Sequence, residues 1–245
     1  MRNIAPAWRG AWAGLTFSGL TTGLWLASAG AAPHAPSTLA GLILMIVAGL
    51  MAKGAVFRLA VGRGNPGPGG LQIGRVEVNL LIVALLTFAF LSILGLLLLV
   101  VLLCTAYAVA SAGPGFVASD IATWARAIAG RGQVVFGLVA LAGAAGMVWA
   151  ATRICLAAAV TVAQDKVQVL ATWPITRDRV VPIVLAGALT AAGPFVVLAT
   201  ARLVLRSMLD PSAQFAGHVV MGVILVGLWV PMGIGLMAYL QRRLG

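Results

Sequence analysis

Five ionisable side chains lie within sixteen consecutive residues of a chain that otherwise carries little charge. The stretch QDKVQVLATWPITRDR, residues 164–179, contains Asp165, Lys166, Arg177, Asp178 and Arg179. Two kinds of chemistry fit such a cluster. Carboxylates beside cations can act as general acids and bases, and a basic stretch beside an apolar segment can bind the phosphates of lipid headgroups.

A glycine-rich stretch is the second candidate for chemistry. Residues 62–67, GRGNPG, match the pattern G-x-G-x-x-G, which cradles a pyrophosphate when a strand precedes it and a helix follows it. Here an apolar helical segment precedes it, and Pro66 and Pro68 would interrupt a following helix start. The stretch is therefore interpreted as a Gly/Pro turn that ends a helix.

Metal and nucleophile patterns are weak or absent in the sequence. His34, His218 and Asp210 have ligand-type side chains, but no metal-ligand spacing joins them. No G-x-S-x-G, S-x-x-K or H-E-x-x-H pattern occurs. The sequence therefore predicts no metal, no cofactor and no enzymatic activity.

The elements that position these residues follow from composition. The chain has 245 residues, of which 62% are hydrophobic and 9% charged, and its mean hydropathy is +1.08. A soluble domain carries about 25% charged residues, so this chain has too little polar surface to face water. Backbone groups in hydrocarbon must be satisfied within their own segment, and runs such as residues 93–103 do not alternate as barrel strands do. The predicted fold is an all-α, polytopic integral membrane helical bundle.

Six apolar segments are long enough to be considered as membrane spans, within a single transmembrane domain covering residues 1–245. The predicted spans are 11–29, 39–61, 80–110, 134–159, 180–205 and 218–240. Ala27-Ser28-Ala29 resembles a signal-peptidase site, so a cleaved signal peptide is an alternative for residues 1–29. The length of the segment favours an uncleaved first helix.

The basic residues divide unevenly between the two ends of these spans. The net charge is +11. One side carries Arg2, Arg9, Lys53, Arg58, Arg63, Arg75, Arg153, Lys166, Arg177, Arg179, Arg242 and Arg243, and the other Arg126, Arg131, Arg202 and Arg206. The positive-inside rule then predicts a multi-pass membrane protein with both termini in the cytoplasm. Basic residues at helix ends indicate anionic lipid rather than nucleic acid as their partner.

Two short surface helices are expected between the spans. In the 164–179 stretch, Val169, Leu170 and Trp173 share one helical face, and Pro174 would end that helix. Thr176 would then cap span five, with Asp178 in its first turn. Residues 119–130 could form a second such helix, with Ser119 as its N-cap and Asp120 in its first turn.

The candidate site is therefore a basic membrane surface. The residues predicted to contact lipid headgroups or the interface are Arg75, Arg153, Lys166, Trp173, Arg177 and Arg179. Glu77, Asp165 and Asp178 are candidates for ion pairs, with Glu77 and Arg75 expected to meet Arg177, Asp178 or Arg153. All five acids lie outside the predicted spans, which argues against transport coupled to a carboxylate within the membrane.

Two segments resemble a known family. Residues 153–163, RICLAAAVTVA, are followed by Val169, Trp173, Thr176, Arg177 and Arg179. This region resembles the R-x-x-L-A-x-P-x-x-V and S-W-x-L-T-R-G-R segments of bacterial membrane proteins related to the glycerophosphodiester phosphodiesterase membrane domain. Residues 67–77, GPGGLQIGRVE, are similar to the G-P-x-G-L-x-x-G-x-x-E stretch of uncharacterised proteobacterial relatives. The departures are Ala159 for proline, Thr172 for serine, Pro174 after the tryptophan and Asp178 for glycine.

The resemblance implies a membrane module rather than a hydrolase, because catalysis in the enzymatic members belongs to a separate soluble domain. The predicted function is that of a non-enzymatic multi-pass protein whose basic face contacts anionic lipid or a partner subunit, including a further copy of itself. One alternative is a transporter component for a lipid-like or small amphipathic substrate, with Thr87, Thr152, Thr190 or Arg153 lining a polar cavity. Another is a membrane enzyme acting on lipid headgroups through Asp120, Asp210 and His218.

Overall fold

The computed structural model describes residues 4–31, 36–62, 67–113, 121–130, 132–207 and 211–244, and the regular structure in these ranges is entirely helical. The helices are α1 (Ile4–Ala31), α2 (Pro36–Val61), α3 (Arg75–Ser111), α4 (Ile121–Ala129), α5 (Gln133–Ile154), α6 (Ala157–Gln164), α7 (Thr172–Ile175), α8 (Val180–Ser207) and α9 (Pro211–Leu244), with a 3-10 turn at Pro68–Gly70. The predicted all-α class is confirmed.

Five helical segments of the described chain are long and apolar enough to cross a membrane. They are Leu39–Val61, Pro68–Ser111, Gln133–Gln164, Val180–Val204 and Gln214–Leu244. The first predicted span, 11–29, corresponds to α1, which has 28 residues but carries the hydroxyls of Thr16, Ser18, Thr21 and Thr22. A membrane protein is therefore supported, whereas the crossing of α1 stays a prediction.

The chain forms two compact units, and the prediction of a single transmembrane domain stays a prediction. Unit 1 comprises residues 1–84 and 155–245, and unit 2 comprises residues 85–154. In unit 1, α1 packs against α2 and α9, α8 packs against α9, and α6 packs against both α2 and α9. Its apolar core includes the fully buried side chains of Ala11 and Leu15 on α1. Unit 1 therefore depends on α1 for the centre of its core.

Glycines allow α1 and α9 to cross at very short range. A Cβ atom on Gly222 of α9 would lie 2.5 Å from the carbonyl oxygen of Gly19 and 2.5 Å from the amide nitrogen of Gly23, both on α1. Because these obstacles are backbone atoms, no side-chain movement relieves them. The indole of Trp8 donates a hydrogen bond of 3.1 Å to the carbonyl of Gly227 nearer the start of α1. Small residues of this kind let helices in a bilayer approach closely.

The predicted Gly/Pro turn after α2 is present where the structure describes it. α2 ends at Val61, and Gly62 follows with a φ of 73°, the left-handed conformation typical of a residue just past a helix end. Residues 63–66 of the G-x-G-x-x-G pattern lie outside the described residues. Gly70, with a φ of 85°, packs against the backbone of Ala11, where α1 departs from helical geometry.

Unit 2 is an antiparallel helical hairpin. It contains α3 from Leu85 onward, the short helix α4, and α5. A Cβ atom added to Gly95 of α3 would lie 3.9 Å from the Met147 side chain of α5, and Gly143 of α5 faces the Leu98 side chain of α3. These two contacts fix the register of α3 against α5.

Candidate functional site

The candidate site is the end of unit 1 at which α1, α3 and α8 begin and α2, α6 and α9 end, here named the basic end. Three observations relate these helix ends: Gly10 of α1 faces Leu59 of α2, Arg58 of α2 pairs with Glu77 of α3, and Ala159 of α6 and Ile234 of α9 belong to the same core as Ala11. Exposed cations at the basic end are Arg9, Arg75, Lys166, Arg177, Arg179, Arg242 and Arg243. Asp165 and Asp178 are the exposed acids on the same loops. The described surface there is strongly positive.

A buried ion pair lies beneath this surface. Arg58, in the last turn of α2, directs Nη2 to within 2.5 Å of the Glu77 Oε1 atom, and the two side chains are 8% and 3% exposed. Arg58 Nη1 also donates to Oε2 of the same carboxylate, at 3.4 Å. The guanidinium and the carboxylate thus form the two-point contact that an arginine makes with a carboxylate.

The helix ends explain why this pair forms here. Glu77 is the third residue of α3, and its Oε2 accepts a hydrogen bond of 2.9 Å from the Gly74 amide just before the helix. This is the reach-back half of a capping box. The carboxylate lies near the positive end of the α3 dipole, and Arg58 near the negative end of the α2 dipole. Gly54, one turn before Arg58, leaves room for the carboxylate, because a Cβ there would collide with Glu77 Oε1.

Two expectations about Glu77 are corrected by this geometry. Its partner is Arg58, and not Arg177, Asp178 or Arg153. Glu77 also lies inside α3 and is buried, whereas the sequence placed it in the polar link before the span. The cause is that α3 begins at Arg75, five residues earlier than the predicted start of the span.

The amphipathic helix predicted for the 164–179 stretch does not form over most of its length. α6 ends at Gln164, and Asp165 takes a left-handed conformation with a φ of 55°. The backbone amide of Gln168 then donates a hydrogen bond of 3.1 Å to the hydroxyl of Thr161. A side-chain acceptor on α6 thus holds an irregular backbone at a point where a helix was expected.

The second half of the same loop is a single helical turn, α7, anchored by threonines. Thr172 and Thr176 are fully buried, and the Thr176 hydroxyl donates to the Thr172 carbonyl at 3.0 Å. Pro174 lies within α7 rather than ending it, because the first turn of a helix needs no amide donor. Thr176 closes α7 instead of capping the next helix, and α8 starts only at Val180, so Asp178 precedes its first turn.

The predicted headgroup residues divide into two groups. Arg75, Lys166, Arg177 and Arg179 are exposed and Trp173 is half-buried. Arg75 begins α3, and the other four lie in the connection between α6 and α8. Arg153, the last charged residue of α5, belongs to unit 2. It is 7% exposed, and its guanidinium carbon lies 5.1 Å from the centroid of the Trp149 ring. The expected headgroup contact of Arg153 therefore does not fit its burial.

Of the residues named for catalysis or transport, His218, Thr152 and Thr190 form hydrogen bonds within their own helices. Asp120, His34 and Asp210 lie outside the described residues, and the ring of His218 is hydrogen-bonded to the Gln214 carbonyl at 2.7 Å. The Thr152 and Thr190 hydroxyls each donate to a carbonyl one turn earlier in their own helix, at 2.7 Å. Within the described ranges, no group of three or more metal-ligating side chains occurs.

The exposed cations of the described surface can bind anions. The Arg58 and Glu77 charges offset each other inside the bundle, whereas the exposed arginines and Lys166 present guanidinium and ammonium donors to the outside. Sequence reasoning missed Arg58 as a partner. One signal was available in the sequence. Arg58 lies near the end of one span and Glu77 near the start of the next, and a short Gly/Pro turn joins the two.

In comparisons with known proteins, no family model, no curated protein and no solved structure matches this chain.

Proposed function

We propose that this chain is a non-enzymatic multi-pass protein of the bacterial inner membrane whose basic end binds anionic lipid headgroups. The observation that carries the proposal is the collection of exposed cations at the end of unit 1 where six helix termini meet. In the proposed orientation all six long helices cross the bilayer and the basic end faces the cytoplasm, as positive charge usually does.

The loop that bears Lys166, Arg177 and Arg179 is held in one conformation by buried groups. Thr161, Thr172 and Thr176 have no exposed surface, so the chain on either side of each exposed cation is fixed to the bundle. A cation held at a fixed position loses less conformational entropy on binding a phosphate than one on a free loop. Each basic side chain near an anionic membrane surface contributes about 1 kcal/mol of attraction.

Native mass spectrometry of protein extracted gently from its own membrane tests this proposal. The variant R177Q/R179Q is compared with R202Q/R206Q, which makes the same change in charge on two arginines that the sequence predicts to face the other side. We expect R177Q/R179Q to retain fewer anionic lipids than the unchanged protein, and R202Q/R206Q to retain the same number.

Equal lipid retention by the two variants would contradict the proposal. A stoichiometric protein that copurifies with the unchanged chain, and is lost only from R177Q/R179Q, would instead identify the basic end as the contact surface of a partner subunit. The relation to the glycerophosphodiester phosphodiesterase membrane domain forms part of this proposal, as a membrane module without hydrolytic activity.

A further inference from the structure

The second inference concerns unit 2 and is independent of the basic end. Its α3 and α5 segments contain no charged residue between Leu85 and Ser111 or between Gln133 and Thr152. In the most apolar 18-residue stretch of α3 no residue is buried, and in the corresponding stretch of α5 6% of the residues are buried. The hairpin therefore exposes apolar side chains around nearly all of its described surface.

Aromatic residues mark both ends of this apolar band. At one end, the Tyr107 ring on α3 packs edge-on against the Trp124 ring on α4, with 5.8 Å between the ring centroids. At the other end, Trp149 of α5 lies beneath the guanidinium of Arg153 and is 42% exposed. Tyrosine and tryptophan are enriched at the two membrane–water interfaces, where an apolar ring meets a polar edge.

The spacing of these markers matches a bilayer. The register set by Gly95 with Met147 and by Gly143 with Leu98 places Tyr107 at the level of about residue 134 of α5. At 1.5 Å per residue, Trp149 is then about 22 Å away along the helix axis and Arg153 about 28 Å away. The hydrocarbon core of a bilayer is about 30 Å thick.

Helix α4 has the residue pattern of a helix that lies in the interface. Ile121, Trp124, Ala125 and Ile128 follow the i, i+3, i+4, i+7 spacing of one face, and Arg126 lies on the opposite side. The Arg126 side chain is exposed, and its Nε donates to the Ala122 carbonyl at 3.2 Å. A short helix with one apolar and one basic face lies along the headgroup boundary rather than across the membrane.

We propose that a lipid bilayer encloses unit 2 between these two aromatic levels, with α4 lying flat in the interface at the Tyr107 level. The Trp124 and Ile128 face of α4 is buried among the acyl chains, and Arg126 faces the headgroups. The partner of this surface is the lipid itself, and neither a second protein nor bulk water covers α4.

Spin labelling of the full chain in phosphatidylethanolamine/phosphatidylglycerol vesicles tests the proposal. The chain has two cysteines, Cys104 and Cys155, which are replaced by alanine before single labels are attached through I128C or R126C. Power saturation with oxygen, which concentrates in hydrocarbon, and with a water-soluble nickel chelate reports the depth of each label. We expect the label at 128 to favour oxygen and the label at 126 to favour the chelate.

Three outcomes would overturn the proposal. Equal access of the chelate to both labels would place α4 in water. Shielding of the label at 128 from both reagents would show that protein covers this face. A label depth at 128 that is unchanged by W124A would show that the Trp124 ring does not anchor α4, whereas a shift of that label toward the chelate is the expected result.

Discussion

Among single residues, removal of the buried Glu77 carboxylate has the largest predicted effect on the free energy of unfolding. In E77A, the Arg58 guanidinium stays buried without its counter-ion, and the Gly74 amide loses its acceptor. Removing one partner of a buried ion pair costs about 3–5 kcal/mol, so we expect a loss of this size in the free energy of unfolding. The measurement is reversible unfolding in mixed detergent micelles.

A double-mutant cycle distinguishes the ion pair from a simple loss of packing. R58A/E77A removes both charges, so its loss should be smaller than the sum of the losses in R58A and E77A. The matched control is D178A, because Asp178 is an exposed acid whose replacement should change stability by less than about 0.5 kcal/mol. Strict additivity in the cycle, or an E77A loss no larger than that of D178A, would argue against the pair.

For single residues, the sequence predicted which basic side chains are exposed better than it predicted which partner a buried charge has. Arg75, Lys166, Arg177 and Arg179 were predicted at the surface from their positions beside spans, and they are exposed. The partner of Glu77 was not predictable from local spacing, since Arg58 is 19 residues earlier and no periodic pattern links two helix ends. The pair depends on how the last turns of α2 meet the first turn of α3, which local sequence spacing does not report.

The glycine crossing of α1 and α9 gives a prediction at the scale of helices. In G222A the new methyl group meets the Gly19 carbonyl and the Gly23 amide, and α9 must move away. Overpacking of this kind costs about 1–3 kcal/mol. We expect a lower melting temperature, measured by fluorescence-detected size-exclusion chromatography after heating.

The same helix provides the control for that variant. Gly233 of α9 has nothing within 4 Å of the position of its Cβ, so G233A should leave the melting temperature unchanged or raise it, because alanine favours a helix by up to about 1 kcal/mol over glycine. Equal destabilisation by G222A and G233A would show that the crossing does not limit the approach of α1 and α9.

Helix positions were predictable from sequence, with ends displaced by up to seven residues at the starts of α1 and α9. The loop between α6 and α8 was not predictable. The predicted span 39–61 compares with α2 at Pro36–Val61, and 180–205 with α8 at Val180–Ser207, because long apolar runs determine these helices. The 164–179 loop was assigned a helix from three apolar positions. Its backbone follows instead from the Thr161 hydroxyl and the left-handed Asp165, interactions that hydrophobic periodicity does not report.

At the scale of the whole molecule, the crossing of α1 decides the topology. If α1 and the five apolar segments all cross, both termini lie on the same side, whereas five crossings alone would place them on opposite sides. We expect epitope tags at both termini to be cleaved by protease in inverted membrane vesicles and protected in right-side-out vesicles. Cleavage of one tag in each preparation would show that α1 does not cross.

The close contact of α1 with α9 also has a consequence for the order of events during synthesis. Chains emerge from the ribosome from the N-terminus, so α1 is made well before α9. The backbone of α1 at Gly19 and Gly23 then lacks the α9 surface that Gly222 brings against it in the finished fold. This face of α1 therefore stays uncovered until α9 has been made, and a chain arrested before α9 presents an unfinished core.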